Sequence, residues 1–137
     1  MFILGDVIQI FLENNLPEFH QNQSLTHLIS NWMNYDENGK LTDFNQPLIH
    51  SFNKNFHEIH DEHFSRLIAN RPNVILLGDT IGDIGMIQGL TNLRNSLKIG
   101  FLNRSCQEKL NQFLNAFHIV ICDHQTFDIP IDVLKTI

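Results

Sequence analysis

The sequence NVILLGDTIGD, residues 73–83, decides the fold of this chain. Its apolar run, Val74–Leu77, lies between a proline and a glycine and is too short to form a helix of its own. That pattern is typical of a buried strand in a parallel sheet. Two aspartates follow the run, Asp79 and Asp83, each directly preceded by a glycine. Because ligands of an open α/β sheet bind beyond the carboxyl ends of its strands, the sequence predicts both carboxylates at a ligand-binding edge.

Two interpretations of this acidic pair are open from the residues alone. Oxygen ligands at the end of a strand suit a hard cation, and Mg²⁺ is the common choice where a phosphate is the other ligand. Alternatively, Asp79 or Thr80 caps a helix after the strand, and Asp83 lies in its first turn. Capping residues of this kind are frequent in strand-to-helix turns, so the pair by itself does not decide between the two.

Composition indicates one globular domain over residues 1–137, with 42% hydrophobic and 18% charged residues. The net charge of −6 and the lack of a basic patch argue against nucleic acid or an anionic membrane as a partner. No apolar run reaches membrane-spanning length. Cys106 and Cys122 lack the spacing of metal ligands, so we expect reduced, buried or half-buried thiols and a cytoplasmic location.

The amino-terminal half predicts one strand end, one helix and a hairpin. Met1–Leu4 is apolar and stops at a Gly-Asp pair, where Asp6 is well placed to cap an amphipathic helix. Further along, the Asn-Gly pair that ends in Gly39 is a strong turn signal. It predicts a β-hairpin whose second arm is Lys40–Phe44.

The carboxyl-terminal half alternates strands with helices. The predicted elements are a helix over 56–70, a strand over 73–77, a helix over 82–90, a strand over 97–102, a helix capped by Ser105, a strand over 118–122 and a helix from Pro130. This order is typical of crossovers onto a parallel sheet. We therefore predict an α/β fold, a Rossmann-like parallel sheet with flanking helices, with the small hairpin added.

Four blocks of the chain carry a family resemblance: NWMNYDENGKLTDF at 31–44, LIHSFNKN at 48–55, GDTIGDIGM at 78–86 and LKIGFLN at 97–103. In this order and spacing they resemble the carboxyl half of the cytosolic 5'-nucleotidase III family, also called pyrimidine 5'-nucleotidases. These proteins are haloacid-dehalogenase-like phosphatases. The resemblance extends from about Gly5 to the end of the chain, which makes it far more specific than a lone Gly-Asp motif.

The resemblance implies a function and a set of site residues. The implied reaction is the Mg²⁺-dependent hydrolysis of nucleoside 5'-monophosphates to nucleoside and phosphate. Asp79 matches the family's acidic metal ligand, and Asp83 matches the second acid, which helps to hold the metal's waters and the neighbouring lysine. Lys54 matches the lysine that pairs with the phosphoryl oxygens and the nucleophile, so Lys54 and Asp83 are the implied catalytic residues. A fixed ammonium is what the negative charge of a transferring phosphoryl group requires.

The chain also departs from the family pattern. The family's nucleophile lies in a DxDxT-type segment near the amino end, and a serine-containing SAG block precedes its first Gly-Asp. Met1 stands at the position of that serine, and Asp36 and Asp43, in the predicted hairpin, are poor substitutes for the nucleophile. We therefore expect residues 1–137 to be a partial core domain without nucleophile segment or helical cap, inactive alone. The alternative is a non-catalytic relic that acts as a metal-binding or interaction module.

Three histidines form a weaker candidate for a metal site. His57, His60 and His63 are spaced by three on the predicted helix. That spacing drifts around a helix, so all three would hardly converge on one ion. A solvated helix face is the favoured interpretation.

Overall fold

Strands and helices alternate through the carboxyl half, as the apolar runs predict. The structure, a computed structural model, describes residues 4–16, 19, 26–50, 53–55, 62–103, 106–123 and 126–137. The elements are α1 (Gly5–Asn15), β1 (Met33–Tyr35), β2 (Leu41–Phe44), α2 (Glu62–Ile68), β3 (Asn73–Gly78), a 3₁₀ helix (Ile81–Ile87), β4 (Asn95–Leu102), α3 (Cys106–Ala116), β5 (Ile119–Cys122) and α4 (Asp128–Thr136). Among the described residues, no helix combines the length and the apolar composition that a membrane span requires.

The three strands of the carboxyl half form one parallel sheet in the order β3-β4-β5. In its register Leu77 pairs with Ile99, and Ile99 pairs with Ile119. β4 is therefore the central strand, which explains why Ile99 has no exposed surface. The predicted parallel sheet with flanking helices and a separate hairpin is confirmed.

The core lies between β4 and α3. Leu102, Phe113 and Phe117 form its buried cluster, and the two phenylalanine rings stack with their centroids 5.2 Å apart. A Cβ on Gly100 would lie 3.0 Å from the Phe113 ring of α3 and 2.7 Å from the ring of Phe117, just after it, so only glycine lets both rings approach the sheet this closely. The apolar side chains of strand and helix thus meet over a position that has no side chain.

The hairpin has the predicted turn. β1 and β2 are antiparallel, with Met33 opposite Phe44. Gly39 has a φ of +76°, a left-handed conformation that glycine adopts without strain. The Asp36 carboxylate accepts hydrogen bonds from the backbone N–H groups of Asn38 and Lys40, both 2.9 Å long. Asp36 therefore stabilises the turn, as its sequence position predicts.

The predicted capping role of Asp6 is wrong. The N-cap of α1 is Leu4, and Asp6 lies inside the first turn of the helix. Its carboxylate accepts a hydrogen bond from the backbone N–H of Met33 at 2.9 Å, so it joins α1 to the hairpin instead. Leu4 itself forms an isolated parallel bridge with Asn31, and Met1–Ile3 of the predicted strand lie outside the described residues.

Other predictions differ from the structure or fall outside its described part. The helix predicted over 82–90 is shorter and is a 3₁₀ helix, Ile81–Ile87. Of the helix predicted over 56–70 the structure describes α2, and the Ser105 cap and the Cys106 side chain are not among the described parts of the chain. Cys122, expected to be at least half-buried, is exposed because it is the last residue of a strand at the edge of the sheet.

Candidate functional site

The candidate site lies at the carboxyl end of β3. Asp79 is the first residue after that strand, and Asp83 is the third residue of the 3₁₀ helix that follows. Lys54 reaches the same place from the loop before α2. Lys54, which is distant in sequence, therefore contacts the turn that follows β3. The carboxyl end of a parallel strand is the position expected for a ligand site of an α/β sheet.

Asp83 is buried, with 3% of its surface exposed, and both of its carboxylate oxygens are engaged. Its Oδ2 accepts hydrogen bonds from the backbone N–H of Asp79 at 3.1 Å and from the N–H and hydroxyl of Thr80, both at 3.0 Å. Its Oδ1 accepts from the ammonium of Lys54 at 3.1 Å. The carboxylate thus closes its own turn and also pairs with a distant lysine.

The Lys54–Asp83 ion pair is largely shielded from water. The two side chains are 19% and 4% exposed. Burial alone raises the pKa of the Asp83 carboxyl, but the hydrogen bonds from Lys54 and Thr80 outweigh it and lower the pKa below its ordinary value of 3.8. Asp83 therefore carries its negative charge at neutral pH, and Lys54 is held beside it.

Gly78 lets this turn close on the strand. A Cβ on Gly78 would lie 2.7 Å from the Cβ of Asp83 and 3.1 Å from its Oδ2. Any larger residue would therefore push the Asp83 carboxylate out of its place. Glycine is needed at this position because the strand and the turn approach each other closely.

The Asp79 carboxylate differs from that of Asp83 in being exposed. Among the described residues no side chain donates a hydrogen bond to it or forms an ion pair with it. A carboxylate at a strand end with free lone pairs is a suitable ligand for a hard cation such as Mg²⁺, which keeps several waters and takes few protein ligands. In the described part of the chain no three His, Cys, Asp or Glu side chains form a cluster that could hold a metal ion.

The structure brings two of the three predicted site residues, Lys54 and Asp83, into direct contact. The capping interpretation is confirmed, because Thr80 is the N-cap of the 3₁₀ helix and Asp83 lies in its first turn, and the metal-binding interpretation stays a prediction. The two interpretations are therefore compatible. His57 and His60 and the side chain of His63 lie outside the described parts of the chain.

Sequence reasoning missed the residues that shape the Lys54 loop. The Asn53 side chain accepts from the backbone N–H of His50 at 2.6 Å and donates to the carbonyl of Leu48 at 2.7 Å. An asparagine before Lys54 is a common turn residue, so a loop tie could have been suspected there. The hydrogen-bond partners of Asn53 could not have been predicted, because they depend on the path of the loop.

A cavity of about 620 Å³ lies beside β3, and it is distinct from the acidic turn. Most of its lining is apolar, including Ile75, Leu76 and Met86, while Asp79 and Asp83 do not line it. Lys54 borders it, so this lysine stands between an apolar cavity and the charged site. The acidic turn, which offers the oxygen ligands and the fixed ammonium, remains the candidate site.

The chain matches a known protein family over almost its whole length. Residues 2–137 match the family described as pyrimidine 5'-nucleotidase (UMPH-1). The chain belongs to the pyrimidine 5'-nucleotidase family. The family expected from the four sequence blocks is thereby confirmed.

Relatives in this pyrimidine 5'-nucleotidase family are longer than the chain. A 7-methylguanosine phosphate-specific 5'-nucleotidase of Xenopus laevis is 39% identical over 96% of the chain and 44% of its own length. The human protein of that name is 34% identical over 98% of the chain and 43% of its own length. A putative cytosolic 5'-nucleotidase 3 of Caenorhabditis elegans is 36% identical over 98% of the chain and 36% of its own length. The chain thus spans less than half the length of these relatives.

A solved structure shows the same fold. The crystal structure of cytosolic 5'-nucleotidase IIIB bound to cytidine superposes with a TM-score of 0.82 and 32% sequence identity. The match covers 96% of this chain and 43% of the other. The sheet and helices described above therefore match those of the solved 5'-nucleotidase IIIB structure.

Proposed function

We propose that this chain supplies the phosphate-holding and Mg²⁺-holding part of a 5'-nucleotidase site that acts on nucleoside 5'-monophosphates. The observation that carries the proposal is the shielded Lys54–Asp83 ion pair at the carboxyl end of β3, in a member of the pyrimidine 5'-nucleotidase family. In the proposed site Lys54 would hold the phosphate, Asp79 would hold Mg²⁺, and Asp83 would hold Lys54 in place.

Lys54 would bind the phosphoryl oxygens. Its ammonium has three donors and its pairing with Asp83 uses one of them, at 3.1 Å. The remaining donors can face an anionic ester. Because Lys54 is already oriented by a buried carboxylate, little reorganisation is needed when negative charge develops on the transferring phosphoryl group.

Asp79 would be the direct ligand of Mg²⁺, which supplies charge neutralisation at the phosphate when it is bound. The exposed Asp79 carboxylate is available, whereas both oxygens of Asp83 already accept hydrogen bonds. We therefore assign to Asp83 the holding of Lys54 and of the turn, with any contact to the metal made through its waters. This division follows from which carboxylate has free lone pairs.

Two nucleotides are the first substrates to test. The Xenopus laevis and human relatives are named as specific for 7-methylguanosine phosphate, and the solved 5'-nucleotidase IIIB structure holds cytidine. The name of the Caenorhabditis elegans relative supports a cytosolic location. Both 7-methylguanosine and cytidine 5'-monophosphate present the phosphomonoester that the site would bind.

The 137 residues alone would bind phosphate and metal without turning substrate over. They contain no Asp-x-Asp sequence to supply the family's nucleophile. Lack of a covalent nucleophile costs several orders of magnitude in rate, on the order of 5–8 kcal/mol of transition-state stabilisation. Binding is therefore the property to measure first.

The test is a titration of the 137-residue chain with cytidine or 7-methylguanosine 5'-monophosphate, followed by ³¹P NMR, with and without Mg²⁺. We expect Mg²⁺-dependent binding that Asp79→Asn and Lys54→Met abolish. Asp43→Asn, which removes an exposed carboxylate of the hairpin, is the control that leaves binding unchanged. Binding of equal strength in the Asp79→Asn and Lys54→Met variants, or turnover that survives Asp79→Asn, would overturn the proposal.

A further inference from the structure

Asn31 is the most buried polar residue described in the chain, with 1% of its surface exposed. Its side-chain amide pairs with the backbone of Ile49 in both directions. The Nδ2 donates to the Ile49 carbonyl at 2.9 Å, and the Oδ1 accepts from the Ile49 N–H at 2.7 Å. The side chain thus satisfies both backbone groups of one residue, as a neighbouring strand would.

The backbone of Asn31 is anchored on its other side. Its carbonyl accepts a hydrogen bond from the N–H of Gly5 at 2.7 Å, and Asn31 forms a parallel bridge with Leu4. A Cβ on Gly5 would lie 2.9 Å from the Trp32 side chain, so the segment around Asn31 fits tightly against the start of α1. Asn31 therefore joins the first helix to the segment that contains Ile49.

The segment that begins at Ile49 ends at Lys54. The Asn53 side chain closes it through hydrogen bonds to His50 and Leu48. Beyond this loop, the Lys54 carbonyl lies 3.2 Å from where a Cβ on Gly85 would stand, so the backbone of Lys54 packs closely on the 3₁₀ helix. The lysine backbone is thus held from the Asn31 side and from the acidic turn.

We propose that Asn31 is a positioning residue that sets where the Lys54 ammonium stands. The amide of Asn31 fixes the backbone of Ile49, and the Asn53 side chain is bonded to Leu48 and His50, the two neighbours of Ile49. Lys54 is the next residue after Asn53 and pairs with Asp83. This rests on the proposed function for its purpose, since a lysine held in place is what an anionic phosphate requires. Its geometry and its test depend only on Lys54 and Asp83.

The test measures how fast the Lys54 amine is acylated, by peptide mass spectrometry after brief treatment with an N-hydroxysuccinimide acetate ester. Lys40, exposed in the hairpin turn, is the internal reference in every sample. Asn31→Leu keeps the number and the branching of the side-chain heavy atoms and removes both hydrogen bonds to Ile49. We expect the rate of Lys54 acylation relative to Lys40 to rise roughly fivefold to tenfold, because displacing Lys54 weakens its hydrogen bond to the charged Asp83 carboxylate and leaves the amine more accessible.

Asn45→Leu is the matched control. Asn45 also bonds a backbone group through its side chain, accepting from the Trp32 N–H at 2.6 Å, but it has no bond to Ile49. It should leave the acylation of Lys54 unchanged. An equal rise in Asn45→Leu, or no rise in a folded Asn31→Leu variant, would overturn the proposal.

A second variant keeps the test decisive if Asn31→Leu does not fold. Asn53→Ala removes the two bonds that close the loop, and Asn53 is only partly buried. It should also raise the acylation of Lys54, and an unchanged rate would contradict the proposed path to the lysine. The measurement uses no phosphate, nucleotide or Mg²⁺, so its outcome is separate from that of the binding test above.

Discussion

The Asp83 carboxylate is 3% exposed and remains charged because donors from Lys54, Asp79 and Thr80 surround it. A buried carboxylate without such partners would be costly to ionise. The local donors come from the turn itself, whereas the ammonium comes from a residue 29 positions away. At this site a local capping interaction and a long-range ion pair therefore share one side chain.

Removing the lysine tests how much the ion pair stabilises the fold. Lys54→Met leaves Asp83 buried with one oxygen unpaired, so the free energy of unfolding should fall by about 1.5–3 kcal/mol. Lys135→Met is the control, because Lys135 pairs with Asp132 at 3.0 Å but the two side chains are 69% and 72% exposed. That variant should lose less than about 1 kcal/mol. Urea unfolding of both variants measures the difference, and equal losses would show that shielding of the Lys54 pair has no effect.

The lowered pKa of Asp83 predicts a pH dependence. Because the pKa of this group is lower in the folded than in the unfolded chain, its contribution to stability is complete above its ordinary value of 3.8. The contribution is lost as the pH falls through the lower pKa of the folded state. Below about pH 4 the parent chain should therefore lose stability more steeply than Asp83→Asn. Urea unfolding measures this from pH 6 down to the pH at which the proteins no longer fold. The same pH dependence of the free energy of unfolding in the two proteins would contradict the prediction.

At the scale of single elements, the turn after β3 is built as a 3₁₀ helix. Its hydrogen bonds run from residue i to i+3, as from Asp83 N–H to the Thr80 carbonyl at 3.2 Å. Gly82 and Gly85 lie within it, and glycine disfavours the regular α-helix that apolar spacing had predicted. The tighter winding brings Asp83 back over the end of the strand.

Gly78 is the position where strand and turn are most sensitive to substitution. In Gly78→Ala the new methyl group would overlap the Asp83 side chain, so we expect a loss of about 1–3 kcal/mol in stability together with faster acylation of Lys54. Gly39→Ala is the control, since nothing lies within 4 Å of its Cβ and only its φ of +76° is strained. It should cost roughly 1 kcal/mol and leave Lys54 unchanged. Urea unfolding and the acylation assay separate the two, and unchanged Lys54 in Gly78→Ala would refute the expectation.

At the scale of the whole molecule, apolar surface is unevenly covered. The core cluster between β4 and α3 is closed, with Leu102 only 2% exposed. On α1, by contrast, Val7, Ile10 and Phe11 are 58%, 59% and 64% exposed. Exposed apolar side chains grouped on one helix favour association between copies of a protein in water.

That surface predicts self-association of the isolated chain. Phe11→Gln should reduce concentration-dependent association with little change in stability, because the Phe11 ring is already 64% exposed. Asn14→Gln, an exposed polar position of the same helix, is the control and should associate like the parent. Light scattering over a concentration series measures the effect. A parent chain that stays monomeric throughout the series would show the prediction to be wrong.

The contrast between Asp6 and Asp36 shows where sequence reasoning succeeds. Asp36 stabilises its own turn, which lies within four residues of it, and the Asn-Gly signal predicted that turn correctly. Asp6 precedes an apolar helical pattern, as a capping residue would, but its carboxylate accepts a hydrogen bond from the N–H of Met33, 27 residues away. The local pattern around Asp6 contains no information about the hairpin that packs beside α1.

The sequence by itself determined the order of strands and helices, the parallel sheet, the hairpin and the family, because apolar periodicity, turn residues and the four blocks are all local patterns. Only the tertiary structure decided that both oxygens of Asp83 would accept hydrogen bonds, while the Asp79 carboxylate has no side-chain partner among the described residues. It alone showed that the Asn31 side chain bonds both backbone groups of Ile49 while the Asn31 carbonyl accepts from Gly5 at the start of α1. These outcomes depend on contacts between residues far apart in the chain, and such contacts form only when the packed elements bring their backbones within hydrogen-bonding distance.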